Sequence, residues 1–218
     1  MFRLKIGPAD LDDPASADAR AKWISLPIDR EKADQFVKDE FGAAAVEDCS
    51  CFDIESGIPQ ISAGMFKVMD DFNGLNAVAE RYLAMTESEQ IRFKAILEAE
   101  NIQNVDEAMS ATDRLHEYGL AYFVKNEGDF FREYLHHHLP AKFDARWLDT
   151  FAVSIDVCKL PGRLGASVTE YGVLSARGGS LYDLVSYDAP QECQEDTENL
   201  TEATTDEDEA QEFGGMQL

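Results

Sequence analysis

The chain has 218 residues, and its 43 acidic and 19 basic side chains give a formal net charge of -24. This charge repels nucleic acids and anionic membrane surfaces, and it attracts basic partners most strongly at low salt. Because 44% of the residues are hydrophobic, most of the chain is expected to fold.

The first elements in chain order predict a small α/β module over residues 1–69. The segment FRLKI alternates apolar and charged residues, and KWISL, at Lys22–Leu26, does so again. This pattern is typical of two half-buried strands, which we expect to pair. Asp29 is placed to cap a helix with the sequence REKADQFVKDEF, and Gly42 is placed to end it. A further strand is expected at Cys51–Ile54.

The start of the chain also bears on its location. The alternating N-terminal pattern lacks the apolar core of a secretory signal, and the sequence has no run of about 18 apolar residues that would span a membrane. Four cysteines, Cys49, Cys51, Cys158 and Cys193, do not make a disulfide framework in such a chain. We therefore expect a cytoplasmic protein with reduced thiols and no membrane segment.

Residues 70–111 have the pattern of a helical middle domain. Asn73–Met85 places apolar side chains at helical spacing, and Thr86 with Glu89 forms a capping box for a second helix. We expect these two helices to pack as an antiparallel pair, followed by a short helix at Val105–Ala111. With 9 acids against 3 bases, this part is the most acidic for its length before the C-terminal tail.

Residues 112–187 predict a mixed α+β domain. A helix is expected at Asp129–Leu139, and strands are expected at Ala166–Ser175 and Leu181–Val185. The three histidines His136–His138 point about 100° apart in succession on a helix, so they do not converge on one metal ion. We interpret them as a helix end.

The last segment, residues 188–218, contains 11 acids, no base and few large apolar residues. This composition predicts a disordered acidic tail. Such a tail is either an arm that binds a partner or a solubilising segment without a fixed partner. The fold class expected for the whole chain is α+β, with up to three small domains followed by this tail.

The chain lacks the common catalytic and phosphate-binding motifs. It contains no GxSxG, HExxH or GxxxxGK[ST] sequence, which are the patterns that place a nucleophile, a zinc site or a phosphate loop. Cys49 and Cys51 have no second Cys or His pair at ligand spacing. We therefore predict no enzyme activity, no metal and no cofactor. A small enzyme with an unrecognised site is an alternative, which a deep pocket with converging polar groups would support.

Four short segments follow one another in an order that resembles a known family. They are KWISLP at Lys22–Pro27, LNAVA at Leu75–Ala79, FKAILEAE at Phe93–Glu100 and LDTFAVSIDV at Leu148–Val157. Together they resemble the ArdA family of antirestriction proteins, in particular its divergent members carried on mobile genetic elements. The resemblance runs from about Phe2 to Val185.

The middle segments match the family best, and the last segment departs from it. The family's C-terminal signature is similar to iDYeayGrdi, and this chain keeps Asp149 and Asp156 of that pattern. Thr150, Ser154 and Ile155 stand where the signature has Tyr, Gly and Arg. Most of the resemblance is therefore carried by the middle of the chain.

The resemblance implies an elongated, dimeric DNA mimic that occupies the DNA-binding channel of type I restriction-modification enzymes. Its carboxylates would stand in for phosphates, of which B-DNA presents one per about 1.7 Å of helix axis. Acids fixed on helices lose less entropy on binding than acids on a disordered tail. The candidate carboxylates are Glu80, Glu87, Glu89, Glu98, Glu100, Asp106, Glu107, Glu127, Asp129, Glu133, Asp149 and Asp156.

A different class of function stays open beside the mimic. An acidic adaptor or inhibitor would bind another basic partner, such as a CRISPR effector or another DNA-binding enzyme, and would use the tail for it. The plainest interpretation of the charge alone is a solvated surface that keeps the protein soluble. Each candidate carboxylate taken singly fits that interpretation, so mimicry would be a property of the whole array.

Overall fold

The computed structural model describes residues 2–9, 14–63, 71–138 and 160–177. Within these ranges the protein is a mixed α+β structure with seven α-helices and two three-stranded antiparallel sheets, so the predicted α+β class is confirmed. No helix in these ranges is long and apolar enough to cross a membrane. The predicted strand at Leu181–Val185 and the predicted tail at 188–218 lie outside the described residues.

The first sheet has the strand order β2-β1-β3, and both pairings are antiparallel. The predicted pairing of the first two strands is confirmed, with Phe2 opposite Leu26. Apolar side chains alternate along β1, which places Phe2, Leu4 and Ile6 in the core. The strands are β1 (Phe2–Pro8), β2 (Lys22–Leu26) and β3 (Cys49–Glu55).

Helix α2 (Arg30–Phe41) begins and ends at the residues that the sequence predicts. The Asp29 carboxylate accepts hydrogen bonds from the backbone N–H groups of Glu31 and Lys32, at 3.0 and 3.4 Å. Gly42 ends the helix with a φ of 73°, a left-handed conformation that glycine adopts without a steric penalty. A short helix, α1 (Pro14–Arg20), connects the first two strands and was not predicted.

Three helices form the middle of the chain: α3 (Phe72–Ala84), α4 (Glu87–Ala99) and α5 (Val105–Asp113). The predicted capping box is confirmed at the start of α4. The Glu89 carboxylate accepts from the Thr86 backbone N–H at 2.8 Å, and the Thr86 hydroxyl accepts from the Glu89 N–H at 3.4 Å.

Helix α3 contacts α4 through the Tyr82 and Phe93 rings, whose centroids lie 5.9 Å apart. Its more extensive packing is against α5, which the sequence did not predict. Near their first residues the two helices approach so closely that a Cβ atom on Gly74 would lie 2.6 Å from Cγ1 of Val105. Near their last residues Arg81 donates to the Thr112 hydroxyl at 2.7 Å, so α3 and α5 run side by side in the same direction.

The second sheet has the strand order β4-β6-β5, again antiparallel. The long strand predicted at Ala166–Ser175 is wrong, because the chain turns back within it to make a hairpin. The Thr169 hydroxyl donates to the Gly172 carbonyl at 2.8 Å and accepts from the Tyr171 N–H at 3.2 Å, and Gly172 has a φ of 141°. The elements of this region are β4 (Tyr118–Ala121), α6 (Glu127–His138), α7 (Leu160–Arg163), β5 (Ala166–Thr169) and β6 (Gly172–Ala176).

A single buried cluster runs through most of the described structure. It begins under the first sheet at Phe2, includes Phe72 and Phe93 of the helices, and reaches Leu120 and Leu174 of the second sheet. The first sheet, the helices and the second sheet therefore share apolar core, while the division at 69 and 111 stays a prediction. A smaller cluster lies under α6 and is formed by Ala121, Val124, Phe130, Ala166 and Val173.

Candidate acidic binding surface

Four of the predicted carboxylates are exposed on the helices of the middle region: Glu80 on α3, Glu87 on α4, and Asp106 and Glu107 on α5. Within the described residues none of the four is in an ion pair with a base. Glu107 accepts one hydrogen bond, from the backbone N–H of Gln103 at 3.1 Å. We call this set the four helical acids.

The helical pattern of the sequence explains why these acids face solvent. In α5 the buried residues are Val105, Ala108 and Ala111, which follow the spacing of one helix face. Asp106 and Glu107 therefore lie off that face, and they also lie in the first turn, where the helix dipole favours negative charge. Local helix chemistry thus holds two uncompensated acids at one helix end.

Glu89 has a different role from the four helical acids. Its carboxylate closes the capping box with Thr86, and the hydrogen bond from the Thr86 N–H lowers the pKa of Glu89 below its ordinary value. The side chain is thus fixed by the start of α4, and it stays ionised at neutral pH. An acid held this way adds negative charge without the freedom to turn toward a partner.

Glu98 lies half-buried where α4 contacts the turn of the second sheet. Both of its carboxylate oxygens accept from the backbone N–H of Glu170, each at 3.2 Å. Burial raises the pKa of Glu98, and the neighbouring Glu170 carboxylate raises it further. Glu98 therefore connects two elements and is less available to a partner than an exposed acid.

Arg114 and Tyr118 both donate hydrogen bonds to the Glu100 carboxylate, and we call these contacts the clamp. The two oxygens of Glu100 accept from the Arg114 guanidinium at 3.0 and 2.6 Å, and the Tyr118 hydroxyl also donates to this carboxylate. The hydrogen bonds from Arg114 hold the pKa of Glu100 below its ordinary value. Because the clamp compensates this charge, Glu100 contributes less to the field outside the protein than the four helical acids.

The remaining candidates lie toward the C-terminal part of the chain. On α6, Glu127 and Glu133 are half-exposed. Asp129 on the same helix accepts from Arg132 at 2.7 Å and from Asn126 at 2.7 Å. The last two candidates, Asp149 and Asp156, lie outside the described residues.

A polar groove of about 850 Å³ is lined by Glu107, one of the four helical acids. It lies between the loop after β3 and the loop from α4 to α5, and its charged lining residues are Asp71, Glu100, Glu107 and Arg114. The Arg114 side chain in this groove is the one that Glu100 holds. The groove therefore presents a net negative, hydrogen-bonding surface.

The two cysteine thiols of the described region have low reactivity at neutral pH. Cys49 is buried and Cys51 is half-buried on β3, and both are free thiols. Burial raises the pKa of each thiol to about 11, so the reactive thiolate is scarce at neutral pH. In the same part of the chain no three His, Cys, Asp or Glu side chains come together as a metal site would require.

Ion pairs and hydrogen bonds separate the acids into two groups that the sequence does not distinguish. Glu98 and Glu100 form hydrogen bonds with other elements, whereas Glu80 and Glu87 form no hydrogen bond or ion pair with another element in the part of the chain that the structure describes. Exposed Glu117 beside β4 was not singled out, and no pattern around it marks it. Among the described residues, bases seen in ion pairs with acids include Arg3, Lys5, Lys22, Arg30, Arg81, Arg114 and Arg132.

No protein-family model matches the chain, and no curated protein matches it at a significant level.

Proposed function

We propose that this protein is an antirestriction protein that acts as a DNA mimic and occupies the DNA-binding channel of a type I restriction-modification enzyme. In this proposal it binds no nucleic acid itself and performs no catalysis. The ArdA-like segments of the sequence led to the proposal, and the exposed acids on the helices, unpaired within the described ranges, support it.

The observation that carries the proposal is the set of four helical acids. They are exposed, they have no base partner among the described residues, and they lie on helices whose other faces are buried in the shared core. A channel lined by Lys and Arg gains Coulomb energy from such acids, since their charge is not already compensated. Their attachment to packed helices limits the entropy lost on binding.

Electrostatic competition with DNA gives the proposal a direct test. A labelled duplex that carries the recognition site is bound to a type I methyltransferase, and the unlabelled protein is titrated into the complex at about 50 mM and about 200 mM salt. We expect displacement of the duplex that weakens at the higher salt, because exposed charges are screened. Absence of displacement at low salt would contradict the proposal.

Deletion of residues 188–218 separates the mimic from the acidic adaptor. The folded acids are unchanged in this variant, so the mimic should displace the duplex nearly as well as the full chain does. An adaptor that binds through its tail should lose its partner. A truncated chain that no longer displaces DNA would therefore favour the adaptor.

A further inference from the structure

At the junction between the first sheet and the helices, the side chain of Asn76 forms two hydrogen bonds with the backbone of Ile28, one as acceptor and one as donor. The Asn76 amide on α3 accepts from the Ile28 N–H at 2.8 Å and donates to the Ile28 carbonyl at 3.0 Å. Ile28 lies in the short segment between β2 and α2, 48 residues away along the chain. One amide thus satisfies both polar backbone groups of a part-buried residue.

A second polar contact joins the same two parts of the protein. Arg30, the first residue of α2, donates to Asp34 at 2.9 Å and to both carboxylate oxygens of Glu47. The same guanidinium donates to the Asn73 side chain at 3.3 Å and lies over the ring of Phe72, with 5.9 Å to its centroid. Arg30 is therefore fixed by its own module and directed at the first turn of α3.

These polar contacts constrain the relative orientation of the first sheet and the helices more sharply than the apolar core does. The rings of Phe2 and Tyr82 meet edge to face across the same junction, with centroids 5.5 Å apart, and the burial of such surface depends less sharply on orientation than a hydrogen bond does. Hydrogen bonds have preferred distances and angles, so a paired amide selects a single arrangement. The Ile28–Asn76 pair is placed to make that selection.

We propose that Asn76 is a positioning residue that sets the orientation of the first sheet and α2 relative to helices α3 to α5. Through that orientation it fixes where the exposed acids of α2, Glu31 and Asp39, stand relative to the four helical acids. The functional half of this inference rests on the proposed DNA mimicry, because a rigid channel accepts an array of charges only in one arrangement. Asn76 itself carries no charge and needs no contact with the partner.

Residual dipolar couplings of backbone N–H groups test the positioning role without reference to function. In the native protein, the couplings of the first sheet and those of helices α3 to α5 should fit one alignment tensor. In Asn76→Ala the two sets should require two different tensors, while each set still fits its own structure. One tensor that fits both sets in the variant would overturn the inference.

Competition with DNA for the methyltransferase tests the functional consequence. Asn76→Ala leaves every carboxylate in place, so a weaker inhibitor cannot be explained by lost charge. If the productive orientation falls to about one-tenth of the population, the apparent affinity falls about tenfold. Asn76→Asp keeps the acceptor for the Ile28 N–H but places a second carboxylate oxygen against the Ile28 carbonyl, so it should inhibit no better than Asn76→Ala although it carries one more negative charge.

A destabilised control separates orientation from general loss of stability. Val124→Ala removes apolar volume from the smaller cluster under α6, away from the junction, and should leave the inhibition unchanged. Unchanged inhibition by Asn76→Ala, with two alignment tensors, would overturn the functional half of the inference. If the native protein displaces no DNA, the proposed mimicry fails, while the dipolar couplings still decide whether Asn76 fixes the junction.

Discussion

Neutralising Glu100 should destabilise the protein without greatly weakening an acidic binding surface. Glu100→Gln removes the negative charge that faces Arg114 and leaves one acceptor where there were two. A hydrogen bond to a charged group contributes about 1.5 to 3 kcal/mol. The Glu100 and Arg114 side chains are 27% and 32% exposed, so screening by solvent favours the lower end, and we expect a loss of about 1.5 kcal/mol at pH 7. For a chain of this length such a loss lowers the melting temperature by about 3 to 6 °C.

The pH dependence of this loss identifies its origin. Because the pKa of Glu100 is lowered in the folded protein, its contribution is complete above the ordinary glutamate pKa of about 4.3 and disappears as the pH falls through the folded-state value. Urea denaturation of the native protein and Glu100→Gln should therefore give curves that differ at pH 7 and approach each other as the pH falls below about 4.3. Glu87→Gln, at an exposed acid, is the control and should change stability by less than about 0.5 kcal/mol. A loss in Glu100→Gln that is below about 0.5 kcal/mol, or that is independent of pH, would refute this reasoning.

Three further predictions concern the capping box, the hairpin and the cysteines. Thr86→Ala should cost about 1 kcal/mol of stability, whereas Glu89→Gln, which keeps an acceptor for the Thr86 N–H, should cost less; equal losses in urea denaturation would contradict this. Gly172→Ala should cost about 3 kcal/mol or more, because the new Cβ would lie 2.4 Å from the Ala121 carbonyl oxygen. Gly162→Ala, whose Cβ meets nothing within 4 Å, is its control, and similar melting temperatures for the two variants would show the reasoning to be wrong. With a pKa of about 11, Cys49 and Cys51 should be alkylated at pH 8 at least about a hundredfold more slowly in the folded than in the unfolded protein, as measured by mass spectrometry of their peptide; comparable rates would contradict their burial.

Local signals made the helix starts predictable. Capping residues act within a few residues of their own position, so the sequence around them is enough to predict a helix end. The examples are Asp29 before α2, Gly42 after α2, and Thr86 with Glu89 before α4. The strands β1 and β2 could also be predicted, because alternation of apolar and polar residues is typical of a half-buried strand.

Elements with a weak or contradictory local pattern were missed. Helix α1, with the sequence PASADAR, has no large apolar residue and therefore shows no buried face to detect. The hairpin of β5 and β6 was predicted as one strand because its strand-like pattern continues across Glu170 and Tyr171. The turn depends on the Thr169 hydroxyl and on one glycine, which sequence periodicity does not register.

The functional role of an acid depends on partners that are distant in sequence. Glu100 meets Arg114 and Tyr118, 14 and 18 residues away, and Glu98 meets Glu170, 72 residues away. Nothing near Glu98 or Glu100 distinguishes them from Glu87. The sequence therefore predicted a set of acids, and tertiary contacts separate those that join elements from those that are exposed.

In the proposed DNA mimicry, the acids fixed on the helices bind the partner, and the total charge of the chain does not determine the affinity. The most direct measurement compares two variants of equal net charge in the methyltransferase competition at low salt. One variant neutralises the four helical acids, and the other neutralises four acids of the tail, Glu195, Asp196, Glu198 and Glu202, with Gln or Asn in each case. At about 0.5 kcal/mol for each exposed charge, the helical variant should inhibit roughly 30-fold more weakly than the native protein, and the tail variant should inhibit almost as well. Equal inhibition by the two variants would contradict the claim.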